Sequence, residues 1–200
     1  MTLAPSTLVS RRPLITALMV VMLSACSTYG TPLEGMFGES TPPSCPDVRI
    51  LAKAVSKTKF IDTSGRDVTD IDSEARLADF QALCVEDIDK DTGIGNVTVE
   101  LTTAFQAARG PANTSGKAQF PYFVSLIDEE RNIISKNVFE VAIGFERNAF
   151  KTTVFDEPVV LKIPISPPQR GSMFSIYIGM QLTEDDLQYN ERIGASLLDG

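Results

Sequence analysis

The 200-residue chain contains no histidine. That absence excludes Ser-His-Asp and Cys-His catalysis, His-ligated zinc and a histidine pH switch. Cysteine is scarce at three residues, too few for a thiolate-rich metal site. Positive charge is short as well. Eighteen Lys and Arg face 26 Asp and Glu, a net −8, and a polyanion of this kind is repelled by nucleic-acid phosphates and anionic head groups. Long hydrophobic runs are missing too. The longest, Leu14–Leu23, covers about half of the roughly 20 residues needed to span hydrocarbon. What remains has the composition of one ordinary globular domain.

The N-terminus reads as an export signal. Arg11 and Arg12 supply the basic region, Leu14–Leu23 the apolar stretch, and Leu23-Ser24-Ala25-Cys26 ends it. Those four residues resemble the bacterial lipobox, in which small side chains precede a cysteine whose thiol accepts the acyl chains. Residues 1–25 are thus expected to be a removed signal peptide, leaving Cys26 lipidated. At about 0.8 kcal/mol per buried methylene, several chains give membrane affinity on the order of tens of kcal/mol, in effect a permanent anchor to the bilayer. Ser27 follows where Asp favours inner-membrane retention in Gram-negative lipoproteins, so the resemblance implies the outer membrane, facing the periplasm. Ser10-Arg11-Arg12-Pro13-Leu14 also resembles a twin-Arg signal but without its usual Lys, and a general secretory leader is the preferred reading. Residues 26–44, rich in Gly, Pro, Ser and Thr, are expected to be a flexible linker giving roughly 20–25 Å of stand-off.

Past Cys45 the dominant signal is period two. Val97–Gln106, Val138–Phe145, Val159–Ile165 and Phe174–Leu182 alternate apolar and polar residues, as half-buried antiparallel strands do. Phe120–Ile127 is apolar on both faces, like a central strand, while Val48–Val55 and Leu77–Ile88 fit strand or helix. Turn-forming clusters at Asp89–Asn96, Gly110–Lys117, Asp128–Asn132, Arg147–Lys151 and Ser166–Ser172 separate them. The expected fold is all-β: an antiparallel two-sheet sandwich of about seven to eight strands, immunoglobulin- or fibronectin-III-like, over residues 45–193. A small open barrel is the alternative. Thr183-Glu184-Asp185-Asp186 predicts a capped, short C-terminal helix, with residues 194–200 a flexible tail.

With Cys26 acylated, Cys45 and Cys84 remain, and in an oxidising compartment they are expected to pair. Candidate chemistry is thin. Asp87, Asp89 and Asp91 space carboxylates as calcium loops do, but Gly93 comes one place late and Thr98 stands where the bidentate Glu belongs. An acidic solvated turn is the preferred reading. Asp70, Asp72 and Glu74, with Asp62 and Asp67 nearby, read as a second acidic loop. Ser56-Lys57-Thr58-Lys59 has the Ser-x-x-Lys spacing of penicillin-recognising enzymes, but the companion Lys-Thr-Gly is missing. The aromatics of Pro121–Val124 and Phe145–Phe155 are expected in the core, with an exposed partner-binding strip as the alternative.

The lipobox, the Cys45/Cys84 pair, Pro121-Tyr122-Phe123-Val124, Lys136 with Phe139, and Gly179–Thr183 with Leu187–Arg192 resemble a group of uncharacterised alphaproteobacterial outer-membrane lipoproteins. The resemblance covers most of residues 26–193 and implies an address without an activity. The expected function is therefore non-enzymatic: an outer-membrane-anchored module that binds another envelope protein, with no cofactor, metal or nucleic acid. A carrier of a small ligand or cell-wall glycan is the alternative, and a hydrolase working with Asp and Glu alone is the third reading.

Overall fold

Alternation becomes strand wherever it was clean. In β4 (Gly95–Arg109), Val97, Val99 and Leu101 are buried while Thr98 and Glu100 face outward. The computed structural model describes residues 45–61, 67–146 and 149–196; Cys26, the linker at 26–44 and Asp62 lie outside them. In chain order the other strands are β1 (Asp47–Ile50), β2 (Ser56–Phe60), β3 (Ile71–Ile88), β5 (Lys117–Ile127), β6 (Ile133–Gly144), β7 (Lys151–Phe155), β8 (Val159–Ile165) and β9 (Ser175–Met180). One sheet has the order β1-β9-β5-β6. In the other, β2-β3-β4 is completed by β7 and β8, which share the far edge of β4.

The sandwich stands, with three departures from the expected detail. There are nine strands among the described residues, because β2 forms where a chance motif was read and β7 within the aromatic segment Phe145–Phe155. The pairing is not wholly antiparallel, since β1 runs parallel to β9 from Asp47↔Ser175 to Ile50↔Ile178. The strand order also departs from the immunoglobulin fold, in which the last two strands are neighbours; here β9 lies between β1 and β5. The ambiguous segments resolve as well. Leu77–Ile88 is strand, part of β3, and Val48–Val55 splits into β1 and a 3-10 turn at Ala52–Ala54.

The core lies between the sheets. Phe105, Leu101, Val97 and Leu77 from one face Phe120, Tyr122, Ile176, Ile178 and Met180 from the other, all essentially inaccessible to water. Each such side chain contributes roughly 1.5–3 kcal/mol by leaving water, so this layer drives folding. Phe105 meets Tyr122 edge-on at 4.9 Å. Outside the core, the Phe123 ring lies across Gly179. A Cβ there would come within 2.6 Å of Phe123 Cζ, so any other residue at this point of β9 would displace the ring.

The disulfide forms as expected. Cys45, at the entry to β1, joins Cys84 on β3, with 6.1 Å between the Cα atoms. Since β1 and β3 belong to different sheets, the bridge ties the two layers together at one side of the sandwich.

Ser56–Lys59 has a structural role. On β2, Ser56 pairs with exposed Arg76 and Lys59 with buried Ser73, so Ser56 and Lys59 point to opposite faces and cannot act as nucleophile and base. Lys57 and Lys59 turn inward instead and close a seam where β9 ends and β5 continues. In the pair Pro121–Gln181, the Gln181 N–H donates to the Pro121 carbonyl at 2.9 Å, but proline has no N–H to return. Lys57 Nζ supplies the missing donor, 3.1 Å from the Gln181 carbonyl, and Lys59 Nζ donates to the Gln119 carbonyl at 3.2 Å.

Lys57 Nζ also lies 2.5 Å from Asp186 Oδ2, and both side chains are mostly buried, 13% and 16% exposed. Asp186 belongs to the capping box that starts α1 (Glu184–Ser196). Its carboxylate accepts the Thr183 N–H at 2.9 Å, and the Thr183 hydroxyl accepts the Asp186 N–H at 3.2 Å. Burial pushes the Asp186 carboxyl up, yet the hydrogen bonds from Lys57 and Thr183 outweigh it and hold the group below its ordinary value. The helix is held further by Asn190, which donates to the Ser56 carbonyl at 2.8 Å, and by Tyr189 edge-on to Phe60.

A depressed folded-state value means stability is present above the ordinary carboxylate value and is lost as pH falls through the folded one. Lys57→Met removes the ammonium and leaves both Asp186 and the Gln181 carbonyl short of a partner. It is expected to cost about 1–3 kcal/mol at neutral pH and to flatten the fall in stability below about pH 4. Urea denaturation across pH 3–7 checks both; an unchanged acid limb would refute the role given to the pair.

Candidate functional site

β6 is the far edge of its sheet, and its pairing with β5 shows which of its groups are free. Beyond the strand end, the Phe145 N–H donates to the Gly116 carbonyl at 2.8 Å. Hydrogen-bonding direction alternates along an antiparallel strand, and β5–β6 keeps one register from Lys117↔Gly144 to Leu126↔Ser135. Odd-numbered residues of β6 therefore bond to β5. The N–H and C=O groups of Lys136, Val138, Glu140, Ala142 and Gly144 point away from it, with no strand beside them among the described residues; Ile134 is the extra residue of a bulge.

Folded proteins shield such edges with short strands, proline, bulges or covering segments. The other edges are shorter or interrupted. β1 has four residues and β2 five, and the β7–β8 edge breaks between Phe155 and Val159 and carries Pro164. β3 past Arg76, which also exposes Leu83 and Val85, opens on a bulge between Leu77 and Asp79. β6 is regular from Ser135 to Gly144, has no proline and exposes Ile133, Ile134 and Val138. Its one cation, Lys136, sits with Nζ 4.2 Å from the centre of the Phe123 ring.

Beneath this edge the sandwich is open. A groove of about 640 Å³ runs between β6 and β8, lined by Asn137, Phe139, Asp156 and Lys162 among others. At its floor Tyr122 donates to Asp156 Oδ2 at 2.6 Å, a hydrogen bond across the two sheets. Burial, then the bond to Asp156 and its charge, push the Tyr122 hydroxyl well above its ordinary value, so it stays a neutral donor. Asp156 sits in the break between β7 and β8, where its N–H donates to the Thr103 carbonyl.

A larger groove, about 1010 Å³, lies over the outer face of the other sheet, walled by α1 and lined by Arg76, Gln106, Lys151, Thr153, Glu74 and Asn190 among others. Its two carboxylates are Glu74, which accepts from Thr58 at 3.4 Å, and Glu191, 3.5 Å from Lys53.

The sequence-named acids are dispersed. Asp87 lies on β3 opposite Asn96. Asp89 caps its own turn, accepting the N–H groups of Thr92 and Asp91 and the Thr92 hydroxyl at 2.8–3.1 Å. The bonds from Thr92, backbone first, hold the Asp89 carboxyl below its ordinary value. No three acidic or thiol side chains converge as metal ligands among the described residues. Asp72 and Glu74 lie on β3 rather than in a loop, because β2 gives that segment a partner. The aromatic segments divide: Tyr122 and Phe145 are buried, whereas Phe150 and Phe155 are largely exposed.

The edge of β6 and the Lys57–Asp186 pair were not identified from the sequence. Alternation looks the same in an edge strand as in a central one, and Lys57 is 129 positions from its partner. Among the described residues no helix is long and apolar enough to cross a membrane. Family models, curated proteins and solved structures yield no match to the chain.

Proposed function

We propose that the chain is an outer-membrane lipoprotein of the alphaproteobacterial group it resembles, acylated at Cys26 and facing the periplasm. Its sandwich is a non-enzymatic interaction module of the cell envelope. The observation that carries the reading is the bare edge of β6, whose outward N–H and C=O groups are arranged to accept a strand. Backbone hydrogen bonds supply the affinity in this mode. Side chains at alternate positions, here Ile134, Lys136, Val138 and Glu140, supply the selectivity. A lipid anchor and a linker fit such a role, because they hold the edge within reach of other envelope proteins.

The groove over the outer face of the other sheet supports a second reading, a carrier of a small ligand or cell-wall glycan, since its volume suits one. The strand-accepting reading is preferred because the Lys53–Glu191 pair already engages one of the two acids that groove offers.

Placing a photo-crosslinking amino acid at Val138 of the full-length chain in intact cells tests the leading reading. A discrete crosslinked product is expected from Val138 and not from Lys162 on the β8 edge. Absence of any product at Val138, or equal products at both positions, would refute it.

A further inference from the structure

We infer that the strand accepted by β6 is the β6 strand of a second copy of this chain. The inference rests on the strand-accepting reading and names its partner. It starts from the residues whose backbone groups face outward, the even-numbered run from Lys136 to Gly144. Two such edges can pair antiparallel about a two-fold axis, and each choice of axis fixes every cross-strand neighbour.

Placing the axis at Val138 sets Val138 against its symmetry mate. Lys136 then stands opposite Glu140 of the second copy, and Glu140 opposite its Lys136. Ile134 falls opposite Ala142. The only cation and the only acid of β6 thus lie at equal distances on either side of the axis and meet twice in this register. Opposite charges directly across an antiparallel pair stabilise it, and like charges oppose it. Val138 and Ile134, both more than half exposed, acquire apolar neighbours.

The hydrogen-bonding parity agrees with this register. Residues 136, 138 and 140 all present N–H and C=O outward, so these three facing pairs are of the closely bonded kind, giving about six hydrogen bonds between the copies. The two four-stranded sheets become one continuous sheet, and the long unshielded edge is removed. Neither charge can be moved alone without placing like charges across the axis. That self-complementarity distinguishes a second copy from a general strand donor.

The test uses two differently tagged full-length chains produced together in one cell. The wild-type tags are expected to co-purify. Lys136→Glu in both copies places Glu against Glu twice, Glu140→Lys in both places Lys against Lys twice, and each is expected to reduce co-purification at least about tenfold. A Lys136→Glu copy mixed with a Glu140→Lys copy restores both opposite-charge pairs and is expected to co-purify like wild type. That recovery also shows that neither substitution unfolds the chain. Failure of the wild-type tags to co-purify, or of the mixed pair to recover, overturns self-pairing. If self-pairing fails while Val138 crosslinks to a different protein, the strand-accepting reading stands; if Val138 crosslinks to nothing, both fall.

Discussion

Replacing Cys45 and Cys84 together by serine is expected to lower the thermal midpoint of the domain by about 10 °C. The bridge closes a loop spanning 39 positions, which in the chain-entropy account is worth about 4 kcal/mol. For a domain of this size each kcal/mol shifts the midpoint by about 2–4 °C. The loss has a structural side as well. β1 has only four residues and a single neighbour, β9, so without the bridge little holds it to the second layer. Hydrogen exchange at Arg49 and Leu51, whose N–H groups face β9, should therefore rise before the core of β4 and β5 responds. Melting of the oxidised wild type, the reduced wild type and the double variant checks this. A midpoint within about 2 °C in all three would show that the bridge does not hold the layers.

The second large effect concerns location. Cys26→Ala is expected to move the protein almost wholly from the membrane fraction to the soluble fraction. On the proposed acylation, removing the thiol removes every acyl chain at once, and with them affinity on the order of tens of kcal/mol. No helix among the described residues offers an alternative membrane span. The sandwich should keep its melting behaviour, because its buried core is built from residues between Ile71 and Met180. Continued sedimentation of the Cys26→Ala variant with membranes, after a carbonate wash, would refute acyl anchoring.

The layers were legible in the sequence because burial acts on one face at a time. Val97, Val99 and Leu101 in β4, and Ile176 and Ile178 in β9, alternate without error since water lies on one side and the core on the other. β2 was not legible. Its inward residues are Lys57 and Lys59, polar because they fill a seam and replace the donor Pro121 lacks, so the apolar signal is absent. β7 was hidden for a related reason. Phe155 points to solvent while Thr152 and Val154 face in, which reverses the expected pattern.

The capping box was legible in Thr183 and Asp186, because a local hydrogen-bond cycle has a local spacing. The second partner of Asp186 was not, since the fold alone brings Lys57 to it. The candidate site behaves likewise. Sequence shows that β6 is a strand and that Val138 sits on its polar side, but sheet order decides that it is an edge. A strand between two neighbours would carry the same alternation with no free backbone groups.

The proposed tether depends most directly on the chemistry of Cys26. Mass analysis of the N-terminal peptide from membrane-extracted protein is expected to find a chain beginning at Cys26 and carrying the added mass of acyl chains. A peptide that retains residues 1–25, or one that begins at an unmodified Cys26, would contradict the account.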